Sequence, residues 1–174
     1  TGGIDLIAMI RVRSIDEVFT GKELTTIPIG TADDVTAAFG KARAAQTQWA
    51  ARSVKDRAAI IERYRDLVIA NRDFLMDVCQ AETGKARSAA QEEILDIMLN
   101  ARYYARSAAK LLAPKRVAGL LPGIVKTVVN HHPKGVIGVI SPWNYPMTLS
   151  ISDSIPALLA GNAVVIKPDS QTPY

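Results

Sequence analysis

The sequence predicts an α/β fold in which a short parallel sheet follows a group of amphipathic helices. Three long patterns of apolar residues at helical spacing occupy most of residues 31–113. A glycine-punctuated strand at 136–140, a helix at 147–160 that includes Pro156, and a fully apolar strand at 163–166 then follow in close succession. This is the order of a βαβ unit, whose crossover helix returns the chain so that the two strands lie parallel.

The first predicted elements are a strand and a capped helix. Residues 23–29 are partly alternating and β-branched, and they predict a short strand at a sheet edge because Pro28 cannot donate a backbone hydrogen bond. Thr31 and Asp34 have the spacing of a helix N-cap and its reciprocal partner. Apolar residues then recur at helical spacing and form one stripe: Val35, Phe39, Ala42, Ala45 and Trp49.

Two further helical patterns fill the middle of the chain. Ser53, with an acidic residue three positions later, predicts the start of a second helix. Asn71 falls on the apolar stripe of that helix and indicates a break near its middle, and Gly84 is placed to end the run. A third helix is predicted at about 89–113, where Pro114 terminates it.

Polar side chains follow the two strands of the predicted βαβ unit at the points where the strands end. Ile140 leads into a loop that contains Asn144, and Ile166 leads into a loop that contains Lys167 and Ser170. Ligands of open parallel sheets bind outside the carboxyl ends of the strands. An amide, an ammonium and a hydroxyl suit a sugar, a phosphate or an oxyanion. Since the sequence has no glycine-rich dinucleotide fingerprint after the first strand and no Walker pattern, the residues alone indicate a polar ligand and nothing more specific.

Composition and charge exclude several classes of protein. The net charge is +4, but the basic residues of 55–57 and 62–66 alternate with acids, a pattern typical of a solvated helix face rather than of a nucleic-acid site. The apolar run at 4–10 is interrupted by Asp5, so it does not read as a signal peptide, and no apolar stretch is long enough to span a bilayer. The sequence therefore predicts a cytoplasmic protein that binds neither nucleic acid nor membrane.

Cysteine and histidine offer no candidate site. Cys79, the only cysteine, lies on an apolar helix stripe, where burial raises the pKa of a thiol, so it is interpreted as a core residue rather than a nucleophile. His131 and His132 are adjacent, and on a strand they would point to opposite faces. No metal site is predicted.

Residues 133–146, PKGVIGVISPWNYP, closely resemble the aldehyde dehydrogenase signature P-x-G-V-x-G-x-I-x-P-W-N-x-P. Residues 156–168 resemble its continuation, and the segments 82–85 (ETGK) and 31–35 (TADDV) also match the family. The likeness extends from about residue 20 to the last residue. It departs at 17–21, where the chain reads EVFTG and the family often has N-P-x-T-G.

The resemblance implies an oxidoreductase. In this family a cysteine thiolate attacks the aldehyde, the resulting thiohemiacetal passes hydride to a nicotinamide, and a glutamate activates the water that releases the acid. Asn144 matches the catalytic asparagine whose side-chain amide stabilises the oxyanion. Its alternative role is that of a loop residue whose amide satisfies backbone groups. In the family the nucleophile lies much later in the full-length chain, beyond this sequence. Tyr174 also follows closely on a predicted sheet strand, so we expect this sequence to be a truncated, inactive piece.

The resemblance also implies a cofactor site at the strand ends. Lys167 matches the lysine that binds the adenosine ribose or its 2′-phosphate, although a lysine at a strand end is also compatible with a merely solvated cation. Ser170 stands where many NAD-preferring members have glutamate, whose charge would repel a 2′-phosphate, so NADP is predicted to be preferred over NAD; Asp169 would oppose this preference if its carboxylate pointed inward. Further cofactor contacts, largely through backbone and ring surface, are implied for Ile140, Ser141, Pro142, Trp143 and Asn144; structural packing is the alternative for Trp143.

The substrate is less sharply indicated. Residues 167–173 resemble NADP-type succinate-semialdehyde dehydrogenases, which points to succinate semialdehyde. Tyr145 matches an aromatic position that lines the aldehyde tunnel of the family. Two alternatives stay open: a dehydrogenase for betaine aldehyde or aminobutyraldehyde, and a non-catalytic α/β nucleotide-binding module.

The resemblance divides the chain into three parts. Residues 1–118 are expected to form the N-terminal helical part of the cofactor-binding domain, and residues 133–174 its first βαβ unit. Between them, residues 119–132 correspond to arm strands that pair between subunits. The complete protein is accordingly expected to be a homo-oligomer, either a dimer or a tetramer, with a catalytic domain that this sequence lacks.

Overall fold

The computed structural model describes residues 12–121 and 123–173. The α/β class is confirmed. The described elements, in chain order, are β1 (Val12–Asp16), β2 (Glu23–Pro28), α1 (Ala32–Ala51), α2 (Val54–Ala70), α3 (Arg72–Thr83), α4 (Arg87–Leu111), β3 (Lys115–Val117), β4 (Thr127–Val129), β5 (Val136–Ile140), α5 (Pro146–Leu159) and β6 (Ala163–Lys167). The strands form three two-stranded sheets, β1–β2, β3–β4 and β5–β6.

The antiparallel pair β1–β2 confirms the strand predicted at 23–29. Pro28 lies at the end of the register, opposite Val12. Each strand of a two-stranded sheet is an edge strand, so proline is tolerated there. The partner strand β1 was not predicted; it buries only Ile15. The segment 4–10, which we interpreted as too interrupted for a signal peptide, lies outside the described residues.

Helix α1 begins with the capping box that the sequence predicts. The Thr31 side chain accepts a hydrogen bond from the Asp34 amide at 3.2 Å, and the Asp34 carboxylate accepts one from the Thr31 amide at 2.8 Å. The apolar stripe is only partly covered, since Val35 is 54% exposed. Its covered part contacts the parallel pair: the Phe39 ring lies 3.4 Å from where a Cβ on Gly138 would stand.

The long second helical pattern is broken, as predicted, at Asn71. This residue has φ −106° and ψ 14°, and its side chain donates to the Leu67 carbonyl at 2.8 Å, which ends α2 and starts α3. Gly84 ends α3 in the left-handed conformation, with φ +71°. A Cβ at that position would also stand 3.0 Å from Cγ1 of Val18, so both backbone and space favour glycine.

Helix α4 is the centre of the helical layer. Two core clusters meet along it, one with Ile61 of α2 and Ile155 of α5, the other with Cys79 of α3. The small side chains of α4 permit close approach of these neighbours, because they add little bulk at the contact: Ala90, Ala101, Ala105 and Ala108 are all buried. The helix ends at Leu111, ahead of Pro114 as predicted.

The short antiparallel pair β3–β4 is exposed along both strands. Lys115 pairs with Val129 and Val117 with Thr127. Strand β3 lies before, and β4 within, the segment 119–132 for which pairing between subunits is expected. That expectation stays a prediction.

Among residues 12–121 and 123–173, no helix combines the length and the apolar composition that crossing a membrane requires. The same residues contain no group of three or more His, Cys, Asp or Glu side chains placed to hold a metal ion.

Candidate functional site

The two strand ends predicted to form the site are adjacent. Strand β5 pairs with β6 in parallel, with Val136 opposite Ala163 and Ile140 opposite Lys167. One residue further, the amide of Ser141 donates to the carbonyl of Lys167 at 3.1 Å. The loops that carry Asn144 and Ser170 therefore leave the same edge of the sheet.

The opposite end of this pair is fixed by Asn162, which is 5% exposed. Its side-chain oxygen accepts from the Gly135 amide at 2.9 Å, and its side-chain nitrogen donates to the Ala157 carbonyl at 3.0 Å. A backbone bond of 2.9 Å from Ala163 to Gly135 completes the connection. Because a one-residue slip would turn every side chain to the other face, these bonds fix the register of the site as well as of the sheet.

The last residue of β5 and the loop after it present an open apolar surface. Ile140 is 81% exposed and Trp143 is 52% exposed, whereas Ser141 is 3% exposed and Pro142 is half-buried. The exposed pair stands at the strand end, where ligands of parallel sheets bind. Among the described residues, the buried Ser141 hydroxyl has no hydrogen-bond partner.

Asn144 is exposed, and its side-chain amide forms no hydrogen bond with any residue of 12–121 or 123–173. Its backbone carbonyl is engaged instead, accepting from the Lys85 ammonium at 2.8 Å. The alternative in which the amide satisfies neighbouring backbone groups is therefore not what the structure shows. An amide with no protein partner is free to donate to a ligand.

A buried glutamate that the sequence analysis missed holds the helix that follows Asn144. Glu93 of α4 is 0% exposed, and its carboxylate accepts from the amides of Met147 and Thr148 at 3.0 and 3.1 Å. These amides belong to the first turn of α5, whose own N-cap, Tyr145, provides no side-chain hydrogen bond. A carboxylate at a helix N-terminus satisfies free amides and interacts favourably with the helix dipole. The available signal was a glutamate on an apolar stripe, between Ala90 and Ile97.

Lys85 connects this glutamate to the Asn144 loop. Its ammonium forms a salt bridge with Glu93, where the side chains are 12% and 0% exposed. The same ammonium donates to the Asn144 carbonyl and lies 4.4 Å from the centre of the Tyr145 ring. The Lys85 ammonium thus contacts Glu93, which holds the first turn of α5, and the two residues that precede α5, Asn144 and Tyr145.

Cys79 is a core residue, as predicted. It is 2% exposed, and burial, followed by the nearby Glu93 carboxylate, raises the pKa of its thiol to about 11. The thiol donates to Glu93 at 3.3 Å. A thiol in this state is a poor nucleophile at neutral pH because the thiolate is the reactive form.

The end of β6 and the loop after it carry the other predicted cofactor residues. Lys167 and Ser170 are exposed, and the Lys167 ammonium forms no ion pair within the described part of the chain. The Asp169 carboxylate accepts from the Gln171 amide at 2.8 Å, so it is engaged within its own loop. Arg13 of β1, which the sequence analysis did not consider, donates to the Ser170 carbonyl at 3.2 Å.

The chain is similar in sequence to proteins of a known family. Residues 10–174 match the model of the aldehyde dehydrogenase family. A relative from Mycolicibacterium smegmatis, provisionally named a succinate-semialdehyde dehydrogenase with NADP(+), is 83% identical over 162 residues, which are 93% of this chain and 31% of the relative.

Solved structures agree with the sequence match. The succinate-semialdehyde dehydrogenase of Burkholderia pseudomallei superposes with a TM-score of 0.86 at 33% identity, over 94% of this chain and 33% of that one. The NAD-dependent benzaldehyde dehydrogenase of Corynebacterium glutamicum gives a TM-score of 0.86 at 35% identity, over 94% and 35%. The chain spans about a third of the length of the proteins it matches.

Proposed function

The chain belongs to the aldehyde dehydrogenase family, and from this premise we propose that the protein containing it oxidises an aldehyde to a carboxylic acid with a nicotinamide cofactor. The observation that carries the proposal is the unengaged Asn144 amide at the shared edge of β5 and β6. Such an amide stabilises an oxyanion by donating a hydrogen bond to it as negative charge develops.

The cofactor would lie on the strand-end surface. Ile140 and Trp143 offer exposed apolar area to a ring, and Lys167 offers an exposed ammonium to the adenosine ribose or its phosphate. When bound, the cofactor supplies the hydride acceptor. The residues of this chain orient it and bind the oxyanion.

The nucleophile is a cysteine elsewhere in the full-length protein. Cys79 is the only cysteine of this sequence, and its burial and raised pKa exclude it from attack on an aldehyde. This segment by itself would therefore bind part of the cofactor without oxidising an aldehyde. Any aldehyde oxidation by the isolated 174-residue segment with NADP would contradict this.

NADP is proposed as the preferred cofactor. Ser170 is neutral, Lys167 has no ion-pair partner in the described residues, and the Asp169 carboxylate accepts a bond within its own loop, so the region is favourable for a 2′-phosphate. The M. smegmatis relative carries NADP(+) in its name, whereas the benzaldehyde dehydrogenase is NAD-dependent. A higher kcat/KM with NAD than with NADP in the full-length protein would refute the preference.

Succinate semialdehyde is the proposed substrate, supported by the names of the M. smegmatis and B. pseudomallei relatives. The alternatives, betaine aldehyde and aminobutyraldehyde, carry a positive charge where succinate semialdehyde carries a carboxylate. Comparing kcat/KM for the three aldehydes tests the assignment. A higher value for either cation would overturn it.

We also propose that the complete protein assembles as a homodimer or homotetramer through the arm of residues 119–132, which follows β3 and contains β4. Leu120 and Ile124, in the connection between these strands, are 92% and 81% exposed. Apolar side chains that are this exposed and close in sequence favour an interface. Replacing both by aspartate should lower the mass measured by light scattering to that of a smaller assembly. An unchanged mass would contradict the role of the arm.

The decisive experiment for the activity is Asn144→Ala in the full-length protein. Loss of one oxyanion donor typically lowers kcat about 10²–10³-fold. Gln48→Ala, at an exposed side-chain amide of α1 outside both strand-end loops and outside the arm, is the matched control and should keep kcat within about twofold, as expected for a surface substitution. Equal activities of the two variants would contradict the proposed role of Asn144.

A further inference from the structure

The first turn of α5 is held by a side chain from another helix. Tyr145, at the N-cap position, makes no side-chain capping bond, and the amides of Met147 and Thr148 donate to Glu93. Glu93 lies on the buried face of α4, next to the buried Ile94. The start of α5, and with it the end of the Asn144 loop, is therefore positioned by α4.

Lys85 adds a second attachment on the other side of the same carboxylate. Its ammonium contacts the Glu93 carboxylate and, at 2.8 Å, the Asn144 carbonyl. A lysine ammonium has three donors, so both bonds can form at once. The backbone on both sides of Tyr145 is thus connected to one buried carboxylate.

We propose that Lys85 and Glu93 are positioning residues that set the direction of the Asn144 amide. This inference rests on the proposed function, in which that amide binds the oxyanion. The Asn144 side chain has no protein partner among the described residues, so its direction depends on its backbone. Catalytic groups must be held within about 0.5 Å of their productive geometry, and a misplacement of about 1 Å can lower the rate about 10²-fold.

The buried ion pair suits this role because it resists rearrangement. A carboxylate that is 0% exposed cannot exchange its partners for water without opening the helical layer. Removing one member leaves the other charge buried and unpaired, which is strongly unfavourable. The pair therefore resists separation, and its lysine also donates to the Asn144 carbonyl.

A double-mutant cycle in the full-length protein tests the inference. Lys85→Met removes the bond to Asn144 and should lower kcat about 10–100-fold, while KM for the cofactor changes by less than about twofold. In the Asn144→Ala background the same substitution should lower kcat by less than about threefold, because the positioned amide is already absent. Lys110→Met, at an exposed lysine on α4, should leave kcat unchanged.

A second variant covers the outcome in which Lys85→Met does not fold. The pair Lys85→Met and Glu93→Gln removes both charges and keeps a side-chain oxygen to accept from the first turn of α5. It should show the same dependence on Asn144. Glu92→Gln, at the exposed neighbouring glutamate, is its control and should leave kcat unchanged.

The outcomes separate the two proposals. If Asn144→Ala lowers kcat but the Lys85 variants do not, or lower it by the same factor in both backgrounds, the positioning role is wrong and the proposed function stands. If Asn144→Ala leaves kcat unchanged in an active enzyme, the proposed function is wrong and the positioning role falls with it.

Discussion

The two loops at the shared edge of β5 and β6 are held in different ways. The loop after β5 is attached by an exposed bond from the Lys85 ammonium to the Asn144 carbonyl, and the same ammonium pairs with the fully buried Glu93. The loop after β6 is fixed by exposed bonds, from Arg13 to the Ser170 carbonyl and from the Gln171 amide to Asp169. In the proposed function, the group that meets the oxyanion needs a fixed direction, whereas the residue that selects between cofactors acts through its charge.

Removing the buried Glu93 carboxylate should have the largest effect on the free energy of unfolding. Glu93→Ala would leave the Lys85 ammonium and two backbone amides without their partner, and breaking a buried ion pair in this way costs about 3–5 kcal/mol. Denaturant unfolding of the full-length protein measures the loss. The control Glu92→Ala should stay within about 0.5 kcal/mol of the parent. Equal losses of unfolding free energy in Glu93→Ala and Glu92→Ala would show that Glu93 does not hold the loop after β5, and the difference between the two loops would disappear.

In the loop after β6, the expected effect is on cofactor choice rather than on stability. Ser170→Glu should lower kcat/KM for NADP about 100-fold, because bringing like charges together at an interface costs several kcal/mol. The value for NAD should change far less. Ser170→Gln is the control of equal size and should retain more NADP activity. A similar loss with glutamate and glutamine would mean that size, not charge, decides.

Gly84 tests how closely the chain before Lys85 is constrained. Gly84→Ala should cost about 1–2 kcal/mol, since a left-handed conformation is unfavourable for any residue with a Cβ, and the added Cβ would stand 3.0 Å from Val18. Gly30→Ala, where nothing lies within 4 Å and φ is not positive, is the control. Unfolding free energies that match would contradict the constraint.

The smallest effect on stability concerns Cys79, whose thiol donates to the buried Glu93 carboxylate. Its folded pKa of about 11 lies above its ordinary value, so the protonated thiol favours the folded state below pH 9. That contribution is lost as the pH rises toward 11, because the unfolded chain deprotonates first. In the folded protein the thiol should react with a disulfide reagent much more slowly than in denaturant, and faster in Glu93→Gln. Rapid labelling of Cys79 in the folded parent protein would show that the region around Cys79 and Glu93 is open to solvent.

The sequence predicted those parts of the fold that depend on neighbouring residues. The caps at Thr31 and Ser53, the break at Asn71 and the end at Gly84 each follow from local hydrogen bonding or local backbone preference. The parallel pairing of β5 and β6 followed from the order of its elements, because a crossover helix leaves few other arrangements.

Contacts between distant residues could not be predicted in the same way. Lys85 meets a carbonyl 59 positions away, and Glu93 accepts from amides 54 and 55 positions away. Arg13 meets Ser170 across 157 positions. No local pattern specifies such partners; a charged residue on an apolar stripe, as at Glu93, indicates only that some partner exists.

The most direct test of the positioning role proposed for Lys85 and Glu93 is the effect of Lys85→Met on kcat of the full-length protein, measured with and without the Asn144 amide. We expect kcat to fall about 10–100-fold when the amide is present and less than about threefold when alanine replaces Asn144. The same loss in both backgrounds would show that the buried pair does not act through Asn144.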